Sequence, residues 1–195
     1  MKTQVAIVGA GPAGLLLGHL LRAEGIDCVV VERASPEYVL GRIRAGVLER
    51  VTMDLMARLG LDSRMKSEGL LHDGFNLADG DKLIHINLAD LTGRQVMVYG
   101  QTEITRDLMD AAEERGLEVI YEAAEVALHD IESENPRLSY SKDGTRHRID
   151  ARFVCVLRWF SWPVAQSGSG QCRQIVRTSV SVWLARHARR RAALS

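Results

Sequence analysis

The stretch VAIVGAGPAGLLLGHLL, residues 5–21, limits the possible folds of this chain more than any other. Residues 4–8 form a short apolar run that ends at a glycine, the pattern of a parallel strand buried on both faces. Residues 12–24 read as a helix, with leucines at 15, 16, 17, 20 and 21 and Gly25 placed as a C-terminal stop. Residues 28–31 form a second apolar strand closed by Glu32. The three segments make a strand–helix–strand unit of the usual length, whose strands are expected to lie parallel.

The glycines between the first strand and the helix are Gly9, Gly11 and Gly14. Each has a separate physical task in a dinucleotide-binding turn. Gly9 permits the tight strand-to-helix turn, and Gly11 lets a pyrophosphate approach where a Cβ would collide. Gly14 lets the helix pack close to the strand. The helix N-terminus then offers free N–H groups and the positive end of its dipole to the phosphates. The three glycines alone are a weak signal. Here they follow a strand, open a helix and precede an acidic strand end, and Glu32 is placed to accept hydrogen bonds from ribose hydroxyls.

Further along, residues 48–59 read as a second helix with Val51, Leu55 and Leu59 on one face and Gly60 after it. Residues 74–98 turn to strands, with a turn at Ala78-Asp79-Gly80-Asp81. Residues 102–115 read as a helix with Thr102 as N-cap, and Thr105 is also a plausible start. Residues 118–121 are expected to add a third parallel strand. Residues 124–130, 137–141 and 146–154 are expected to form an antiparallel meander. The expected fold is therefore α/β: a Rossmann-like nucleotide-binding fold with a parallel sheet and an antiparallel β-meander.

Two motifs narrow this further. GRIRAGVLE, residues 41–49, places Arg42 and Arg44 two apart, on one side of an extended segment. VYGQTEITRDLMDAA, residues 98–112, runs from a strand through a glycine into a helix. On physics alone the first could be a solvated basic loop and the second an ordinary strand–helix junction. Together with the glycine turn, and nearly continuously from Met1 to Cys155, they resemble the 4-hydroxybenzoate 3-monooxygenase family of FAD-dependent aromatic hydroxylases.

The resemblance implies FAD as cofactor and NADPH as co-substrate. Its implied cofactor contacts are Gly9, Gly11, Ala13, Gly14, Glu32, Arg42, Ile43, Arg44, Ala45, Gly46, Val47 and Gln101. Ala13 departs from relatives that carry serine, which removes a hydroxyl contact to a phosphate but leaves the backbone N–H. His72, in GLLHDG, matches a family histidine on a proton path from phenol to solvent, a task suited to imidazole. Read without the family, it is more often a surface histidine. The family also implies 4-hydroxybenzoate as substrate and a homodimer. Alternatives left open are a non-catalytic nucleotide-binding fragment and another FAD- or NAD(P)-dependent oxidoreductase.

Composition adds one sharp break. The net charge is zero, yet all 25 acidic residues lie at or before Asp150, and residues 156–195 hold seven arginines, no lysine and all three tryptophans. In the family, a signature of the type C-D-G-x-x-G/S-x-x-R should follow Phe153-Val154-Cys155. Reading the codons from their second base restores it. Trp has a single codon, so Trp159–Phe160 and Trp162–Pro163 must both give glycine, and residues 157–166 can yield Cys-Asp-Gly-Phe-His-Gly-Pro-Ser-Arg. The expected organisation is thus an FAD-binding domain over residues 1–155, truncated before the substrate domain is complete, with residues 74–98 an excursion toward it. Residues 156–195 are expected to be an out-of-frame tail, with alanine and arginine favouring a helix over 180–193. A genuine basic tail that binds nucleic acid or membrane is the competing reading. No apolar run has the length of a membrane span. The three cysteines lack metal or redox spacing, so a cytoplasmic protein with no metal, nucleic-acid or membrane partner is expected.

Overall fold

The computed structural model describes residues 1–42, 45–131, 133–158, 165–166 and 181–184. Along the chain run β1 (Lys2–Val8), α1 (Pro12–Ala23), β2 (Cys28–Val31), α2 (Pro36–Leu40), β3 (Val47–Leu48), α3 (Arg50–Arg58), α4 (Ser63–Glu68) and β4 (Leu70–His72). There follow β5 (Gly74–Asp79), β6 (Lys82–Asn87), α5 (Leu88–Thr92), β7 (Val96–Val98), α6 (Gln101–Glu114), β8 (Glu118–Ile120) and β9 (Ala124–His129). The last elements are β10 (Arg137–Lys142), β11 (Thr145–Arg158), β12 (Ala165–Gln166) and β13 (Ser181–Leu184). The chain divides into two compact units, Met1–Val39 with Ala112–Ser195, and Leu40–Ala111.

The first unit is built on a mixed sheet in the order β12-β9-β10-β11-β1-β2-β8, with β13 also paired to β11. Strand β1 lies parallel to both β2 and β11, and β2 lies parallel to β8. Residues Val5–Val8 and all four of Cys28–Val31 are buried, as the unbroken apolar runs required. Ala6, Val8, Val29 and Val31 share one core cluster with Val126, Leu138, Ile149 and Val154 of the meander. Helix α1 crosses from β1 to β2, and its Gly18 carbonyl accepts from the Cys28 thiol at 3.5 Å. The helix ends at Gly25 (φ +70°) with Gly25 N–H donating to Arg22 O and Ile26 N–H to Leu21 O, the paired bonds of a Schellman stop. Cys28 and Cys155 are free and buried, and burial raises the Cys28 thiol pKa to about 11.

The meander forms as expected, but its last strand does more than close it. β11 pairs antiparallel with β10 over residues 145–150, then parallel with β1 from Asp150 to Val156. Pattern reading pairs sequence neighbours. At 14 residues, β11 outruns the six-residue β10, and its apolar second half finds β1 instead. The stretch expected to be helical over 180–193 differs where it is described. Ser181–Leu184 is a strand paired antiparallel with β11. The helix-favouring residues begin at Ala185, outside the described residues.

The second unit contains a small antiparallel sheet in the order β3-β7-β4 and a separate hairpin β5–β6. Asp79 pairs with Lys82 across Gly80-Asp81, so the expected turn is a two-residue hairpin loop with Gly80 at φ +56°. The helix expected over 48–59 begins at Arg50, because Leu48 is drawn into β3 opposite Met97. The helix expected from Thr102 begins at Gln101. The Gly100 carbonyl accepts the first helical bonds, from Glu103 N–H at 2.9 Å and Ile104 N–H at 3.1 Å. Thr105 does not start the helix but turns its hydroxyl back to Gln101 O at 2.6 Å. The short helices α2, α4 and α5, of five or six residues, were not anticipated, since such lengths carry little periodicity.

Candidate functional site

In the first unit the turn from β1 into α1 shows why three glycines stand there. Gly9 sits at φ +112°, and a Cβ on it would lie 2.3 Å from the Leu157 carbonyl oxygen at the end of β11. A Cβ on Gly14 would lie 1.8 Å from the Gly9 carbonyl oxygen. These two positions exclude side chains because the main chain already occupies the space. Gly11 is different. Its angles, φ −70° and ψ 174°, are open to any residue, and a Cβ there would meet nothing within 4 Å. Among the described residues nothing requires glycine at 11, and the space beside it is open. Gly11 is also the N-cap of α1, has no capping side chain, and is followed by Pro12. The first N–H groups of the helix therefore face the same space.

Glu32 closes β2 beside this turn. Its Oε2 accepts from Ala10 N–H at 2.9 Å and its Oε1 from Ala34 N–H at 3.0 Å. The carboxylate is thus held against the glycine turn, with lone pairs left for further donors. The loop after β8 returns to the same place: Glu32 N–H donates to Ile120 O, and Ala123 N–H to Glu32 O. Tyr121 lies here, its phenol raised to about 12 by burial and by the Glu32 charge. The structure therefore brings Gly9, Gly11, Ala13, Gly14 and Glu32 together. Ala13, on the first turn of α1, is exposed.

In the second unit, Val47 pairs with Val98 and Leu48 with Met97, which joins the GRIRAGVLE segment to the strand leading into Gln101. Tyr99 N–H donates to Gly46 O at 2.8 Å, and a Cβ on Gly46 would sit 3.6 Å from Gly100 Cα. Gly46 and Val47 thus run beside Val98, Tyr99 and Gly100. Arg42 is exposed. Ile43 and Arg44 lie outside the described residues. His72 is exposed on β4, paired with Val96. The same sheet holds Val47, but His72 is at the opposite end of β7 from Gln101.

Residues 2–156 match the family model described as FAD binding domain. The chain belongs to this FAD-binding family. Its relatives include aromatic hydroxylases. It is 46% identical over 155 residues to p-hydroxybenzoate hydroxylase from Acinetobacter baylyi, covering 79% of this chain and 38% of that protein. It is 26% identical over 155 residues to pentachlorophenol 4-monooxygenase from Sphingobium chlorophenolicum, covering 77% of this chain and 28% of that one. Among solved structures, anhydrotetracycline hydroxylase from Streptomyces rimosus has the same fold, with TM-score 0.69, 23% identity and coverage of 82% of this chain and 32% of that chain. The chain therefore spans less than two-fifths of the length of each of these relatives. The family resemblance carried by the sequence motifs holds, as does the α/β fold with its parallel sheet.

Sequence reading of this FAD-binding domain missed one feature. Tyr99, Asp107 and Arg64 form a polar network around the turn into Gln101. Tyr99 OH donates to Asp107 Oδ2 at 2.7 Å, and Arg64 Nη1 donates to Asp107 Oδ1 at 2.5 Å. Arg64 Nη2 also reaches Glu103 at 2.6 Å and Glu68 at 3.0 Å. Burial first, and the Asp107 hydrogen bond second, push the Tyr99 phenol well above its usual range. Only the spacing of Asp107 from Gln101 on one helix was visible beforehand, and that points to no partner on α4.

Proposed function

We propose that residues 1–155 bind FAD as the cofactor-holding part of a 4-hydroxybenzoate 3-monooxygenase, and that the chain of 195 residues does not itself hydroxylate. The observation that carries the cofactor assignment is Gly11. A glycine that neither backbone angles nor internal packing requires, at the open N-terminus of a helix, fits a pyrophosphate that a Cβ would displace. Gly9, Gly14 and Ala13 shape that turn, and the bonds that hold the Glu32 carboxylate beside it support its role as acceptor for ribose hydroxyls. Arg42, Ile43, Arg44, Ala45, Gly46, Val47 and Gln101 are assigned to the cofactor by family resemblance. The pairing of Gly46 with Tyr99 and of Val47 with Val98, just before Gln101, supports treating them as one set.

FAD, when bound, supplies the redox and oxygen chemistry; the protein's share is to bind, orient and exclude water. In the whole protein NADPH is the reductant and 4-hydroxybenzoate is converted to 3,4-dihydroxybenzoate with O2. His72, exposed to solvent, serves as the outer end of a proton path. The whole protein acts as a cytoplasmic homodimer. Among the described residues no helix is long and apolar enough to cross a membrane.

The reading that residues 1–195 do not hydroxylate rests on the composition break. The family match stops at Val156, where the acidic residues have ended and the arginine-rich stretch begins. We read residues 156–195 as translated out of frame, which replaces the Asp-Gly signature that should follow Cys155. Two measurements test the reading. Coding DNA across Phe153–Ser195 should contain an intact alternative frame. The chain with added FAD, NADPH and 4-hydroxybenzoate should yield no hydroxylated product, whereas the frame-restored, extended protein should. Product from the 195-residue chain contradicts the claim of inactivity. A restored enzyme that rejects 4-hydroxybenzoate but accepts another phenol contradicts the substrate.

A further inference from the structure

We infer that Asp107, acting through Tyr99, is a positioning residue for the cofactor: the two lock the β7–α6 corner so that Gln101 and the backbone of residues 45–47 are presented in one fixed geometry. The inference rests on the cofactor contacts proposed for those residues.

The corner is held from several sides. Tyr99 is the last residue before the glycine that starts α6, and it is only 3% exposed. Its main chain reaches one way, donating to Gly46 O at 2.8 Å. Its phenol reaches the other way, donating to Asp107 at 2.7 Å. Asp107 lies six residues beyond Gln101, so the Tyr99–Asp107 bond ties the approach strand to the helix across the turn that carries Gln101. The Gln101 carbonyl is fixed in turn by the Thr105 hydroxyl at 2.6 Å.

Asp107 is itself held. Its second oxygen accepts from Arg64 of α4 at 2.5 Å, and its side chain is 9% exposed. Arg64 is bound at the same time by Glu68 and Glu103, which anchors the guanidinium whichever way Asp107 turns. Each carboxylate oxygen of Asp107 therefore has a donor, Arg64 at one and the Tyr99 phenol at the other. A buried phenol hydrogen-bonded to a carboxylate is more directional than apolar packing at the same position. The network's product is a defined backbone path from Gly46 to Gln101, and small displacements of such a path cost binding out of proportion to their size.

The test uses the 195-residue chain, FAD as probe, and flavin fluorescence quenching to obtain Kd, with Tm measured on the same samples. Tyr99→Phe keeps the ring and removes one hydrogen bond; it should weaken FAD binding about five- to tenfold. Asp107→Ala should weaken it at least as much. Asp107→Asn keeps an acceptor for the phenol and should recover part of the loss. Ile149→Val, a core change in the other unit, should lower Tm and leave Kd unchanged. Wild-type affinity in both Tyr99→Phe and Asp107→Ala, alongside weakened binding in Gln101→Ala, overturns the inference and leaves the cofactor assignment standing. A Kd loss in Ile149→Val equal to that in Tyr99→Phe also overturns it, since the effect would then be stability alone. Unchanged Kd in Gln101→Ala removes the contact being positioned and overturns it as well. A folded wild-type chain that binds no flavin overturns the cofactor assignment itself, and the positioning role falls with it.

Discussion

The Gly9–Gly14 turn and the Tyr99–Asp107 corner both join a strand to a helix, yet they are specified in opposite ways. At the first, the main chain sets the terms. A Cβ at 14 would run into the Gly9 carbonyl, five residues away, and one at 9 into the Leu157 carbonyl of β11, while the positive φ of Gly9 already favours glycine locally. At the second, side chains set the terms. Tyr99, Arg64, Glu103 and Asp107 come from the turn after β7, a short helix and a longer helix, and no pair of them has a spacing that announces the contact. Sterically specified turns can be read from sequence; polar networks that span elements become visible only once the fold brings them together.

The largest expected effect tests the steric half of that contrast. Gly14→Val should destabilise the first unit by about 3 kcal/mol or more, because the obstructing atom is backbone and cannot swing aside. Chemical denaturation followed by circular dichroism measures it, and a midpoint equal to wild type would contradict the close approach seen between α1 and β1.

Glu32→Ala should have a smaller and mixed effect. It removes a charged acceptor, with hydrogen bonds worth about 1.5–3 kcal/mol each, and it leaves the Ala10 and Ala34 N–H groups without their carboxylate partners. FAD affinity should fall, with a modest loss of stability. An unchanged FAD Kd would remove Glu32 from the ribose.

The smallest effect belongs to the polar network. The hydrogen bond from Arg64, and then that from Arg106, hold the Glu103 carboxyl below its ordinary value, with desolvation opposing. A carboxyl lowered on folding contributes stability above its unfolded pKa and loses it as pH falls through the folded value. The contribution should therefore be intact at neutral pH and fade below about pH 4.5. Glu103→Gln should flatten this acid limb of the stability profile. An acid limb as steep as wild type would show that the ion pairs at Glu103 contribute nothing measurable.

The same contrast explains what sequence could and could not supply. Apolar runs and flanking glycines mark β2 at its observed bounds, and β1, α1 and α6 to within one or two residues. The double pairing of β11 was not readable, since its partner β1 lies more than a hundred residues away. Helices α2, α4 and α5 were too short to show a period, and α4 supplies Arg64. At the site, Gly9, Gly11, Gly14 and Glu32 came from physical reasoning on one motif. Gln101, Arg42 and the backbone of residues 45–47 came from family resemblance alone. Their spacing is that of any strand–helix junction.

The most direct test of the account is an FAD titration of the wild-type chain beside Gly11→Val, with far-ultraviolet circular dichroism on both. Gly11 has open space around it and unstrained angles, so the valine variant should fold like wild type. The account predicts bound flavin in the wild type and an affinity at least about tenfold weaker in the variant, with matching spectra. Equal flavin affinity in the two proteins would contradict it, because the pyrophosphate would then not lie at Gly11.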